Sequence, residues 1–254
     1  YNYIIDSEMS DLSKIYWLIE DCKRYGTLPF AGLARSAFIA VEILKSLVKS
    51  DVITKKHYNS FLSSVETISS KIQIDHKDLP KKDFLKKYGH LRPGTYDILN
   101  KAYDENYNNY FHWKKDNIKK KNIFVLDKNK RSKINKLLKE NGLNINSSDL
   151  FTFIKKSIEA REYAKFVFTK NIDAVLKIFS KICDDNGIKR SDSAFTHISS
   201  IMSLDSSATD YIAVIKASIV RRKKRFAMTK SLSLPSVIIN DHDVFYFFEN
   251  KLIP

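Results

Sequence analysis

Cysteine is nearly absent. Cys22 and Cys183 lie far apart and beside no histidine ligand pattern, which excludes a disulfide framework and a zinc site and suits the cytoplasm. No signal peptide is recognisable. A long uninterrupted apolar run is lacking too. The most apolar stretch, Phe30 to Val48, is broken by Arg35, Glu42 and Lys45, so it reads as a buried helix and not as a membrane span. There is no internal repeat and no low-complexity tract. A Gly-rich phosphate loop, an HExxH pair, a nucleophile elbow and even a single Gly-Gly step are all missing, so the commonest signatures of nucleotide, zinc and serine chemistry are absent.

What the chain does hold is lysine and apolar side chains. Hydrophobic residues make up 43% and charged residues 29%, an ordinary soluble balance. With 254 residues it can bury a real core, as one domain or two close subdomains. The net charge of +15 admits an acidic partner such as nucleic acid, a nucleotide or an anionic membrane. The lysines are spread along the chain, however, and Lys, Asn and Ile are all abundant, which fits coding composition better. The chain starts at Tyr1 without Met and stops at Pro254 just after an apolar run, and so reads as a piece of a longer polypeptide.

Periodicity predicts an all-α fold: a multi-helix bundle, with two subdomains and an extended C-terminal tail. The expected division is 1–107, a connection over 108–127 with Tyr110, Phe111, Trp113 and a lysine cluster, and 128–254. A first helix is expected over Asp11–Arg24, ended by Gly26 in the left-handed conformation, with Thr27 capping the next. That second helix, Phe30–Lys49, is apolar on most sides and rich in small residues, as at the centre of a bundle. Arg35 sits in its first turns, where it either pairs with an acidic neighbour or helps bind an anion. A further helix is expected over Lys55–Ile72, another over Lys128–Asn141 stopped by Gly142, and a long one over 150–184 capped by Ser147, Ser148 and Asp149. The last, Asp205–Arg225, ends in Arg221, Arg222, Lys223, Lys224 and Arg225. That run resembles a nucleic-acid or localisation tract, but a solvated helix end complementing the dipole is the commoner case.

Two features stand out from this frame. The stretch Lys87–Ile98, KYGHLRPGTYDI, crowds Tyr88, His90, Arg92, Thr95, Tyr96 and Asp97 onto a backbone constrained by two glycines and a proline. It is either a structural turn between helices or a ligand-facing loop. The long helix carries an apolar seam, Phe151, Ile154, Ile158, then Phe168, Ile172, Val175, Phe179 and Ile182, in alternating steps of three and four. Its two missing positions are Arg161 and Lys165, with Glu162 beside them. Cations on a core seam need an anionic partner: a carboxylate of the same core, or a bound carboxylate or phosphate. A helix break near Thr169 or Asn171 would turn them outward instead.

Four stretches in order, GTLPFAGLARSAFIAVEILKSLV, FLKKYGHLRPGTYDI, IEAREYAKFVFTKN and SLSLPSVIINDHDVFYF, resemble the central helical part of phosphotransferases related to phosphoenolpyruvate synthase and pyruvate phosphate dikinase, a group that includes rifampin phosphotransferase. The resemblance runs from about Tyr16 to Phe248, and its most specific element is Tyr-Gly-His followed by Arg-Pro-Gly and Asp. It implies an ATP-grasp-like domain that binds ATP and Mg2+, a swivelling domain with a phosphorylated histidine, and an acceptor-binding part. None of His57, His76, His90, His112, His197 or His242 sits in a Gly-Gly-x-x-Ser-His context, so the resemblance implies the middle domain alone, with both other domains as partners and no cofactor of its own. The wording is closest to L-glutamine kinases of capsular phosphoramidate biosynthesis. They convert ATP, L-glutamine and water to L-glutamine phosphate, AMP and phosphate. Arg35, Arg92 or Arg161 would then suit the substrate carboxylate, Asp97 or Glu162 its ammonium, Lys165 an anion, and Tyr88 or His90 its amide. The competing expectations are a scaffold that only positions the two mobile domains, and a basic helical nucleic-acid-binding protein.

Overall fold

The computed structural model describes residues 1–111, 124–204, 210–230, 232–233, 235–245 and 248–249. It is all-α, as the periodicity predicts. In chain order the helices are α1 (Asn2–Ile5), α2 (Asp11–Asp21), α3 (Leu28–Lys49), α4 (Lys55–Ser64), α5 (Ile68–Asp78), α6 (Lys81–Tyr88), α7 (Tyr107–Tyr110), α8 (Lys128–Glu140), α9 (Ser147–Asp185), α10 (Arg190–Ser193), α11 (Ile198–Met202) and α12 (Tyr211–Lys230). In the tail, Leu232–Ser233 and Phe248–Glu249 pair as a two-stranded antiparallel ribbon, and Asp241–Phe245 is a 3₁₀ turn.

Two compact units emerge, and they do not divide at 108–127. The first comprises 1–3, 18–96 and 100–174; the second 4–17, 97–99 and 175–254. One apolar cluster explains why the expected boundary fails: Leu126, Ile134, Leu138, Leu150 and Ile154 pack with Ala40, Leu44, Leu47 and Phe61. Most of the expected connection, 112–123 with His112 and Trp113, lies outside the described residues, as do 205–209 of the expected last helix.

In the first unit, α2 does not end at Gly26. It passes through a π-helical turn, Cys22–Thr27, directly into α3. Gly26 is not left-handed; the glycines with positive φ are Gly94, Gly142 and Gly187. Gly26 is needed for closeness, since a Cβ there would lie 2.6 Å from Phe168 Cβ. Thr27 does not cap α3 but donates its hydroxyl to the Lys23 carbonyl. Asn171 donates to the Leu18 carbonyl, Phe168 meets Gly26 and Phe30, and Arg161 lies over Phe38. Descending numbers on α9 therefore meet ascending numbers on α2–α3, so the two helices run antiparallel. The helix Asp11–Lys49 is also long and apolar enough by length and composition to cross a membrane, a test that core helices of soluble proteins pass as well. α3 is not enclosed on all sides: Leu28, Phe38 and Ile39 are exposed.

The predicted single helix over Lys55–Ile72 is two. Val65 turns extended, and Thr67 starts α5 by accepting from the Ser70 N–H; at α4, Thr54 and His57 form a reciprocal capping box. Gly142 ends α8 as expected, at φ 74°. The caps of α9 come from side chains other than the predicted Ser147, Ser148 and Asp149. Asn146 accepts from the Ser148 and Asp149 N–H groups, and Asn135 from that of Ser147.

In the second unit, Cys183, Ile188, Ile201, Ile215 and Ile219 are buried. The His197 N–H and the Ser200 hydroxyl both reach the buried Ser218 hydroxyl. Burial pushes the Cys183 thiol up to about 11, and it raises Cys22 as well. Both thiols are thus short of thiolate and shielded. In native protein at pH 7.5 neither is expected to react with an alkylating reagent over the time in which a free peptide thiol is consumed. Denaturant should release two reactive thiols, and mass spectrometry of the alkylated chain reads both states.

Candidate functional site

The Lys87–Tyr96 stretch is pinned from several directions within the first unit. Lys87 and the Tyr88 hydroxyl both bond the Asp75 carboxylate, at 2.6 and 2.7 Å. These two donors hold the Asp75 carboxyl below its usual range, and burial raises the Tyr88 hydroxyl. The Tyr88 ring packs with Phe84 and Phe166. His90 Nε2 lies 3.0 Å from the Phe166 carbonyl; a carbonyl only accepts, so that nitrogen carries the hydrogen. Backbone bonds from Tyr103 to Leu91 and from Asp104 to Gly89 tie the stretch to the following segment.

Arg92 is the centre of this frame. Its side chain is 1% exposed, and it bonds the 6% exposed Asp173 carboxylate of α9. It also donates to the Asn100 carbonyl at 3.0 Å and stands 3.8 Å from Glu105. The two terminal nitrogens of this guanidinium are engaged by the protein itself, while its Nε is shut from solvent without a hydrogen-bond partner among the described residues. Thr95 is half-buried and Tyr96 exposed. In the second unit, Asp97 accepts from the Leu99 N–H, a local turn bond, and Arg190 donates to the Ile98 carbonyl.

Arg161 and Lys165 do not occupy a core seam. Lys165 is exposed and Arg161 half-buried, whereas Phe166, Phe168, Thr169 and Asn171 are buried. α9 is unbroken here; the seam simply turns toward Phe166, which faces Tyr88 and His90. Arg161 escapes the desolvation cost by lying over the exposed Phe38 ring, 5.6 Å from its centroid. Its Nη1 is 3.5 Å from Glu162, while its Nε is shut from solvent without a hydrogen-bond partner among the described residues. Arg35, one turn before Phe38 on α3, is exposed.

The predicted residues therefore fall into two groups. Tyr88, His90 and Arg92 point inward and bond to Asp75, the Phe166 carbonyl, and Asp173 with the Asn100 carbonyl. Arg35, Arg161, Glu162 and Lys165, with Phe38, lie on a solvent-reachable stretch of α3 and α9. Along α9, Arg161 and Asp173 are twelve residues apart, about 18 Å of helix. Asp173, as the partner of Arg92, and Phe38, as the platform for Arg161, were not legible as site residues in the sequence. A cavity of about 270 Å³ in the first unit adds Arg131, Lys155, Ser148 and Thr152 beside the ring triad Phe61, Phe124 and Phe151. Among the described residues no cluster of three or more His, Cys, Asp or Glu is arranged to hold a metal ion.

No protein-family model matches the chain, and comparison with curated proteins and with solved structures gives no match.

Proposed function

We propose that the chain is the middle, acceptor-binding module of an ATP-dependent phosphotransferase that works through a phosphohistidine on a separate domain, with the L-glutamine amide as phosphoryl acceptor. ATP and Mg2+ would be bound by a domain outside this chain. One observation carries the acceptor assignment: Arg161 lies over the open Phe38 ring with Glu162 3.5 Å from its guanidinium, part of which is unsatisfied. An amino acid needs such a pair, a cation for its carboxylate and a carboxylate for its ammonium. Arg35 and Lys165 add positive charge where a phosphoryl group would arrive.

Titration of the folded chain with L-glutamine, followed by NMR, is expected to shift resonances of Phe38, Arg161 and Glu162. Arg161→Gln should weaken binding by about tenfold or more, the scale of one charge-assisted contact. Silence toward L-glutamine, or an Arg161→Gln chain that binds as before, would sink the acceptor assignment. A pure scaffold is the second reading, favoured by the inward bonding of Tyr88, His90 and Arg92, and it predicts that silence.

A further inference from the structure

In the second unit the basic run Arg221–Arg225 is not a helix end. α12 continues to Lys230, and the dipole of a helix acts within its last turn, so the dipole does not account for Arg222 and Arg225. Both line a cavity of about 310 Å³ together with Phe195, Thr196, Phe226 and Thr229. Two cations three residues apart on one helix face repel each other. Their neighbour Lys223 is neutralised by Asp192 at 2.5 Å, but neither arginine has a carboxylate partner among the described residues. The Thr196 hydroxyl is shut from solvent and meets no hydrogen-bond partner among them. The apolar side of the cavity is formed by Phe195 and Phe226, edge to face at 5.5 Å.

Two guanidinium groups without counter-charge, an unsatisfied hydroxyl and an aromatic wall around one small space are what a phosphate ester of a flat ring requires. We propose that this cavity binds a phosphate monoester bearing a planar apolar group. Arg222, Arg225 and Thr196 would hold the phosphate oxygens, and Phe195 and Phe226 the ring. The inference stands apart from the acceptor assignment, which concerns other residues in the other unit.

Phenyl phosphate, inorganic phosphate and phenol are the probes, titrated into the whole chain by calorimetry and by NMR. Phenyl phosphate is expected to bind saturably and to shift Phe195, Thr196 and Phe226, with inorganic phosphate competing and phenol alone far weaker. The Arg222→Gln/Arg225→Gln chain should lose about tenfold or more. The Arg221→Gln/Lys224→Gln chain removes the same charge at positions that do not line the cavity, and should bind within about twofold of the parent. All four positions are on a solvent-reachable helix, and circular dichroism checks that each variant is folded. Absence of saturable binding by phenyl phosphate overturns the proposal. Equal losses in the two double variants overturn it too, since they would show a diffuse field and no site.

Discussion

Arg92→Ala is expected to destabilise the chain by about 3–5 kcal/mol, the usual cost of breaking a buried ion pair from one side, and to lower the melting temperature by roughly 10 °C. Truncation removes the Arg92 bond of the Asp173 carboxylate, 6% exposed, and the donor to the Asn100 carbonyl. A lysine should rescue little, because one ammonium cannot span Asp173, Asn100 and Glu105 as a planar fork does. Asp173→Asn should cost a similar amount, and the two losses should be strongly non-additive, since each removes the same bond. Denaturant midpoints of the two single variants and the double variant give the coupling directly. An Arg92→Ala chain that unfolds at the parental midpoint would return Arg92 to the list of ligand-binding candidates.

The same residue shows what one sequence makes legible and what it does not. Arg92 was recognisable as unusual because it sits between a histidine and a Pro-Gly step. Its partner lies 81 positions away, and no local pattern links an arginine in a loop to an aspartate inside a helix. Features governed by neighbours within one turn were readable: Gly142 as a stop, the length of α9, and the apolar spacing of Ile154, Phe168, Val175, Phe179 and Ile182, all buried. Features decided by a second element were not. The break at Val65–Thr67 falls inside a good helical pattern. Arg161 looked like a buried cation because its position repeats the seam, yet Phe38, which gives it an open place to lie, belongs to another helix. Arg222 and Arg225 were visible as charge, but whether a basic run faces solvent or a cavity depends on Phe195 and Thr196 opposite.

Gly26→Ala puts this distinction to a test of sign. Within a helix, alanine is favoured over glycine by about 1 kcal/mol, so the local expectation is stabilisation. Tertiary contact predicts the reverse. The new Cβ would sit 2.6 Å from Phe168 Cβ and 3.2 Å from its Cγ, and Phe168, 5% exposed and set edge to face on Phe30, has little room to withdraw. Relief requires moving α9 away from the π-helical turn, which disturbs the neighbouring Asn171 bond to the Leu18 carbonyl. Overpacking of this kind costs about 1–3 kcal/mol, enough to outweigh the propensity gain. Gly32→Ala supplies the matched control, because Gly32 lies on the same continuous helix and a Cβ there meets nothing within 4 Å. Gly32→Ala is therefore expected to raise the denaturant midpoint and Gly26→Ala to lower it. Equal shifts of the same sign would mean that the close approach of Gly26 to Phe168 is not what holds α9 against this helix.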